Sequence, residues 1–315
     1  MAEPVSYTIN VRGQLIDLAQ PQIMGILNCT PDSFYVGSRV QTEREIALRA
    51  HEIVTQGGDM IDIGAFSTRP GAAVVSEEEE IKRLAFALQI VRKEVPDAIV
   101  SVDTFRPEVA RVCVEQMGAD IINDVALGVH RTPTELQMYK ANTAHQPDKQ
   151  GHTTDTTPSL TERSETERTE MFRMMAHLQV PYILMSVKPS LETMMIAFAR
   201  DVRELRALGV KDIMIDPGFG FGKTLGQNYE ILAEMEKLHE LDVPVLAGVS
   251  RKSMVFRLLG TDASRSLNGT TALHTIALLK GASILRVHDV KEAVEVRQIV
   301  GKLKENTPLY HIYNT

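Results

Sequence analysis

Residues 212–223 read DIMIDPGFGFGK. The run 212–215 suits a strand covered on both faces, as in a parallel sheet flanked by helices. It stops at Asp216-Pro217-Gly218, where a proline and a glycine end the ladder and open a turn. A helical pattern follows at 228–238. The same unit recurs in both directions along the chain. Further candidate strands lie at 22–27, 60–64, 99–102, 120–123, 182–185, 243–247 and 283–287. Residues 42–56 bring Ile46, Ala50, Ile53 and Val54 to one helical face. Ser76 and Glu79 form a capping-box signature ahead of Ile81, Leu84, Leu88 and Val91. Pro107 suits the first turn of a helix over 107–117. Helical patterns at 197–208, 264–280 and 290–303 complete the set. Strand and helix in alternation, about eight times, predict an α/β fold: a single-domain (β/α)8 TIM barrel over 1–315. A doubly wound open sheet is the alternative.

Composition agrees with one large core. The chain has 315 residues, 43% hydrophobic and 24% charged, ordinary values for a globular protein. Its net charge of −7, with no basic block, argues against nucleic acid as a partner. No apolar stretch approaches the about 18 residues of a membrane span, and the N-terminus lacks a basic start followed by an apolar run. Two cysteines, Cys29 and Cys113, form no disulfide framework and fit a reducing, cytoplasmic setting. The stretch 130–170 is polar and breaks the rhythm after the fourth strand. Its centre, 141–168, reads as a flexible insertion on the face where barrel active sites sit.

What ends each strand carries the chemistry. Strand one runs into Asn28 and then Thr30-Pro31-Asp32-Ser33-Phe34; strand two into Ser67-Thr68-Arg69-Pro70-Gly71. Asp103, Asn123 and Asp216 end the third, fourth and sixth strands. Ser250-Arg251-Lys252-Ser253 follows the seventh, and Arg286 and His288 close the eighth. In a barrel these ends converge on one mouth. Asp103, Asn123 and Asp216 supply acceptors for a heterocycle rich in N–H groups. Arg69, Arg251, Lys252, Arg286 and His288 supply cations, and Arg286 and His288 together with Asn28 could hold a phosphate or diphosphate, with or without a divalent cation. Arg286 and His288 are two apart on a strand and share a face. Plainer readings stand beside these: Asp103 as a cap for the following helix, Asp216 as a turn residue, Arg286 paired with Asp289 or Glu292, Ser253 as a helix cap. The glycine run around Phe219 and Phe221 lacks phosphate-loop spacing and could bring backbone and an aromatic face to a flat ligand.

The stretches MGILNCTPDSF (24–34), STRPG (67–71), SVDT (101–104), IND (122–124), DPGFGFGK (216–223), SRKS (250–253), NGTT (268–271) and RVHD (286–289) together resemble the dihydropteroate synthases, a pterin-binding TIM-barrel family of folate biosynthesis and the sulfonamide target. The resemblance covers nearly the whole chain outside the insertion. It implies a transferase joining 4-aminobenzoate to (7,8-dihydropterin-6-yl)methyl diphosphate, giving 7,8-dihydropteroate and diphosphate, with Mg2+ as cofactor and a homodimer as the assembly. Asp103, Asn123, Asp216 and Lys252 would hold the pterin, with Met185 packed against it. Asn28, Arg286 and His288 would hold the diphosphate, Asn28 also touching the metal. Thr68, Arg69 and Pro70 would lie on the mobile second loop and Phe34 on the first. Pro70, Phe221, Lys252 and Ser253 would shape the 4-aminobenzoate pocket. Two positions depart from the pattern. Phe66 stands where many members have Glu, and Met185 is followed by Ser186-Val187-Lys188-Pro189, where members usually have Met-His-Met and a small Gly-containing turn. Related alternatives are a pterin-binding methyltransferase acting on a corrinoid protein and a non-catalytic pterin-binding homologue.

Overall fold

The computed structural model describes residues 7–29, 39–65, 75–125 and 165–306. An antiparallel hairpin, β1 (Thr8–Val11) and β2 (Gln14–Asp17), comes first. Eight parallel strands follow: β3 (Gln22–Asn28), β4 (Met60–Gly64), β5 (Ile99–Asp103), β6 (Ile121–Asp124), β7 (Tyr182–Met185), β8 (Ile213–Asp216), β9 (Leu246–Ala247) and β10 (Ile284–Val287). They neighbour one another in the order β8-β7-β6-β5-β4-β3-β10-β9. A parallel bridge between Ile215 and Val245 joins the two ends, so the sheet closes into the expected barrel. The helices between them are α1 (Arg39–Thr55), α2 (Glu77–Glu94), α3 (Pro107–Met117), α4 (Glu165–Leu178), α5 (Leu191–Ala207), α6 (Leu225–Ala233), α7 (Ser253–Phe256), α8 (Leu267–Leu279) and α9 (Val290–Glu305).

Period two sorts every strand into an outward and an inward row. Outward residues such as Ile23, Ile61, Val100, Ile122, Leu184, Ile215 and Leu285 join the helices in one buried cluster. Inward residues Met24, Met60, Ile121, Ile183, Met214, Leu246 and Ile284 form a second, with half-buried Ile99 against it. This second cluster is the barrel floor. The hairpin seals it from below with Ile9, Val11 and Leu18. Two residues farther along the same strands, the inner row is Ile26, Asp62, Ser101, Asn123, Met185, Asp216, Gly248 and Arg286. An apolar floor and a polar layer above it thus follow from one alternation.

The sequence does carry a signal for the unanticipated hairpin. Ile9 and Val11 alternate with polar residues up to Arg12-Gly13, and both turn residues take positive φ. Arg12 then latches the hairpin to the barrel. Its Nε and Nη2 donate to Asp120 at 2.6 and 2.7 Å, and Arg92 Nη2 joins at 2.7 Å. Burial pushes the Asp120 carboxyl up, but Arg12, the Val100 amide and Arg92 outweigh it and hold the group below its ordinary value. Arg12→Ala is expected to lower unfolding free energy by about 1 kcal/mol, a modest effect for a half-exposed cation. Because the Asp120 value is depressed, this contribution exists above the ordinary carboxylate range and fades on acidification. Denaturant midpoints at pH 7 and pH 3 check it; equal losses at both would contradict the assignment.

Local signals placed the helices with some shifts. Ser76 Oγ accepts from the Glu79 amide at 3.2 Å, the serine half of the expected capping box, while the Glu79 carboxylate takes Arg83 Nε at 2.9 Å. Ser190 caps α5, which starts six residues before the expected 197 and has Leu191, Met194, Met195 and Phe198 on its core face. The pattern over 228–238 divides into α6, with a Thr224–Gln227 capping box, and a 3-10 turn at Met235–Leu241. The strand expected over 243–247 shrinks to two residues because Pro244 has no amide to donate. Of the insertion expected at 141–168, residues 165–168 belong to α4, where Arg168 is buried and paired with Asp201 and Glu204; the rest lies outside the described residues. Among the described residues no helix is long and apolar enough to cross a membrane.

Candidate active site

The polar layer centres on Asp62, a fully buried carboxylate that the sequence reading passed over. Its Oδ2 accepts from Arg286 Nε at 2.6 Å and from Asn123 Nδ2 at 3.2 Å. Arg286 Nη2 also donates to Asp103 Oδ2 at 3.0 Å. Arg286 therefore pairs with Asp62 and Asp103 across the barrel, not with Asp289 or Glu292. Asp289 instead takes Arg251, whose Nε and Nη2 reach it at 2.9 and 2.8 Å. Arg251 Nη1 donates to the carbonyls of Ala263 and Ser264, both at 2.8 Å. Arg251 is thus a latch between loops and leaves the pocket inventory. Its positive φ of 51° turns it away from its neighbour Lys252.

Beside this group stands a second. Asp216 Oδ1 accepts the Gly218 amide at 2.7 Å, so Asp216 is both a turn residue and a pocket wall. Lys252 Nζ donates to Phe219 O at 2.6 Å and lies 4.5 Å over the Phe221 ring. Gly248 opens the space between the groups. A Cβ there would stand 3.5 Å from Lys252 Nζ and 3.9 Å from both Arg286 Cβ and Asp216 Oδ2. Gly248 was also missed, since a lone glycine after a strand carries little signal. Met185 is buried and pairs in register with Asp216. Among the described residues Asp62 Oδ1, Ser101 Oγ and Asn123 Oδ1 are buried without a hydrogen-bond partner. Such acceptors suit a ring that brings its own N–H donors.

The rim is lighter in detail. Asn28 ends β3 exposed, and its Oδ1 would lie 3.8 Å from a Cβ on Gly64. The His288 amide donates to Ser250 Oγ at 3.1 Å, and its carbonyl accepts from Arg49 at 2.6 Å. Ser253 opens α7, only four residues long, and Lys252 rather than Ser253 occupies the cap position. The helix after β5 is capped by Arg106 without a side-chain bond, so Asp103 is no cap. Phe34, Thr68, Arg69 and Pro70 lie outside the described residues. Ser186 keeps its place through backbone: its amide donates to Asp216 O at 2.9 Å and its carbonyl accepts from Lys223 at 3.0 Å. A changed side chain there leaves those bonds intact.

Burial sets the charges. It pushes the Asp103 carboxyl up to about 8, against the pull of Arg286. It raises Asp216 as well, with Lys252 opposing. Lys252 is lowered by burial to about 8 despite Asp216. For Arg286, burial works against the cation, but Asp62 and Asp103 prevail and hold it charged. The layer can therefore present neutral or ionised acceptors to a ring while one guanidinium stays positive.

Fold and site together define a class: a parallel α/β barrel whose upper interior sets buried, unpaired acceptors next to a fixed cation. A family model described as pterin binding enzyme matches residues 24–288. The dihydropteroate synthase of Escherichia coli K12 is 34% identical over 304 residues, covering 92% of this chain and 94% of that protein. A Xanthomonas albilineans dihydropteroate synthase solved with 4-aminobenzoic acid superposes with a TM-score of 0.76 at 30% identity, covering 96% of this chain and all of that one. A Yersinia pestis structure with a pterine–sulfa conjugate gives 0.71 at 31% identity, covering 96% and 100%. The chain belongs to the dihydropteroate synthase family of pterin-binding enzymes.

Proposed function

We propose that this chain condenses (7,8-dihydropterin-6-yl)methyl diphosphate with 4-aminobenzoate, giving 7,8-dihydropteroate and diphosphate. The observation that supports it most is the inner layer itself, where Arg286 is fixed by Asp62 and Asp103 within reach of the Asp216–Lys252 group. Asp103, Asn123 and Asp216 would accept N–H groups of the pterin, Lys252 would donate to a ring acceptor, and Met185 would pack on its face. A guanidinium has five N–H donors; Asp62 and Asp103 use two, which leaves others for an anion. Arg286, with His288 at the end of the same strand, would hold the diphosphate.

The chemistry follows from these placements. The bond between the pterin methylene carbon and the bridging oxygen breaks, and its electron pair leaves with the diphosphate. Fixed cations stabilise that departing charge. Buried carboxylates favour the positive charge growing on the methylene. The arylamine nitrogen then bonds to the methylene and releases a proton. No strong base is needed, so positioning and charge carry the rate. Among the described residues no cluster of three or more His, Cys, Asp or Glu is arranged to hold a metal. Magnesium commonly binds through few protein oxygens plus phosphate oxygens and water, so Asn28 alone beside a diphosphate fits it. When bound it would neutralise charge on the leaving group.

Thr68, Arg69, Pro70 and Phe34 keep their proposed roles on the two loops, and Phe221 and Ser253 theirs beside 4-aminobenzoate. Sulfonamides would compete there; the Yersinia pestis structure was solved with a pterine–sulfa conjugate. Exposed Ile276 and Leu279 on α8 and Ile299 and Leu303 on adjacent α9 offer an apolar face for a homodimer, which sedimentation would read. Both cysteines are free and buried, their thiols pushed up to about 12 by burial; a cytoplasmic setting remains part of this reading, carried by cysteine usage and not by those values. Calorimetric titration with the pterin alcohol, diphosphate and magnesium tests the binding step. Heat and saturation at one site per chain support it; no binding of the pterin at any concentration overturns it.

A further inference from the structure

Lys223 is a buried cation that the proposed reaction does not use. Its Nζ donates to three backbone carbonyls: Ser186 O at 3.0 Å, Gly218 O at 3.0 Å and Phe221 O at 3.2 Å. An ammonium has three N–H bonds, so each finds an acceptor. Ser186 belongs to the turn after β7, and Gly218 and Phe221 to the loop after β8. One ammonium thus joins two loops that sequence places over thirty residues apart.

Among the ties described for the loop, Lys223 is the side chain that binds it to the turn after β7. Gly218, Gly220 and Gly222 all take positive φ, and such glycines lose the most freedom on ordering. Its other ties are the Gly218 amide to Asp216 Oδ1 at 2.7 Å, Lys252 Nζ to Phe219 O at 2.6 Å, the Phe221 amide to Gly218 O at 3.1 Å and the Gly220 amide to Asn228 Oδ1 at 2.7 Å; of the loop's side chains, Phe219 is anchored in the core. Phe221 is the loop's functional tip, with its ring 4.5 Å from Lys252 Nζ. Close packing at the root adds to the constraint. A Cβ on Gly218 would meet Ser186 O at 2.2 Å, so the two turns touch where the clip crosses. Burial lowers Lys223 to about 7 with Asp216 opposing, which the carbonyl cage tolerates because all three contacts are dipoles aimed at a cation.

We propose that Lys223 is a positioning residue for the arylamine subsite: its ammonium clips the glycine-rich loop to the turn after β7 and so sets Phe221 over Lys252. The proposal rests on the reading of the pocket given above. It also predicts that the three carbonyls, without the side chain, form a cage for a small monovalent cation of the ammonium class.

Lys223→Ala and Lys223→Met are compared with wild type in steady-state assays, alongside direct pterin titration. The expected result is a rise of about tenfold in KM for 4-aminobenzoate, the scale of losing one charged hydrogen-bonding group. The expected changes in kcat and pterin affinity are smaller, about twofold, since the Lys223 hydrogen bonds go to backbone carbonyls and its link to Asp216 is through charge alone. Ammonium chloride should lower the KM of Lys223→Ala, while sodium chloride at equal ionic strength should not, and Lys223→Met should respond to neither. An unchanged KM, equal losses in KM, kcat and pterin affinity, or no distinction between the two salts overturns the proposal. So does failure of both variants to fold, which would make the clip part of the fold rather than of the subsite. A wild-type protein that binds pterin but makes no product would instead refute the underlying reaction.

Discussion

Arg286→Ala is expected to lower kcat/KM by about a thousandfold, the scale on which removal of a cation aimed at a leaving phosphate acts. Arg286 is the guanidinium held by both Asp62 and Asp103 in the inner layer. Its loss does two things. The departing diphosphate loses its fixed counter-charge, which falls on kcat. The carboxylates of Asp62 and Asp103 lose their shared partner inside the barrel, which falls on stability by about 3 kcal/mol. Arg286→Lys separates the effects: a point charge remains, but one ammonium cannot reproduce the guanidinium fork. It should recover most of the stability and a small part of the rate. Rates within a few fold of wild type for Arg286→Ala would sink the diphosphate assignment.

Asp216→Asn should weaken pterin binding by about thirtyfold, the difference between a charge-assisted and a neutral hydrogen bond. The amide oxygen can still accept from the Gly218 amide, so the turn survives and the loss reports on the ligand. Stability should move the other way. Burial raises the Asp216 carboxyl above its unfolded value, so ionising it costs folding free energy as pH climbs through the carboxylate range. The asparagine has no such cost. Its melting temperature relative to wild type should therefore rise from pH 4 towards neutrality. Lys252 reinforces the direction, because without Asp216 its buried charge is least tolerated at low pH. Unchanged pterin affinity would remove Asp216 from the site, and a relative melting temperature falling with pH would reverse the electrostatic account.

Why some of this was legible and some was not is a matter of range. Strands such as Met60–Gly64 and Tyr182–Met185 announce themselves because both faces are covered and every residue is buried. The polar ends Asp103, Asn123, Asp216 and Arg286 were legible because polar residues repeatedly break apolar strands at the same end. Asp62 was lost inside MIDIG, where the apolar run dominates, and its partner Arg286 stands 224 residues away. The clue was a carboxylate within an inward row. Arg251 misled for the opposite reason: it sits next to Lys252 in sequence, but a left-handed backbone points it towards Asp289. The start of α5 was legible yet missed: Ser190 caps it, and Leu191, Met194, Met195 and Phe198 already form an apolar stripe in its first two turns. Gly248 matters only through what its missing side chain leaves between Lys252, Asp216 and Arg286. No one-dimensional pattern encodes that space.

The most direct test is diphosphate release by the purified chain supplied with the pterin diphosphate and magnesium, with and without 4-aminobenzoate, with the pterin product identified by mass. The account predicts diphosphate release that rises with 4-aminobenzoate and matches dihydropteroate formed, one for one. Tight pterin binding with no diphosphate released and no dihydropteroate formed would contradict it.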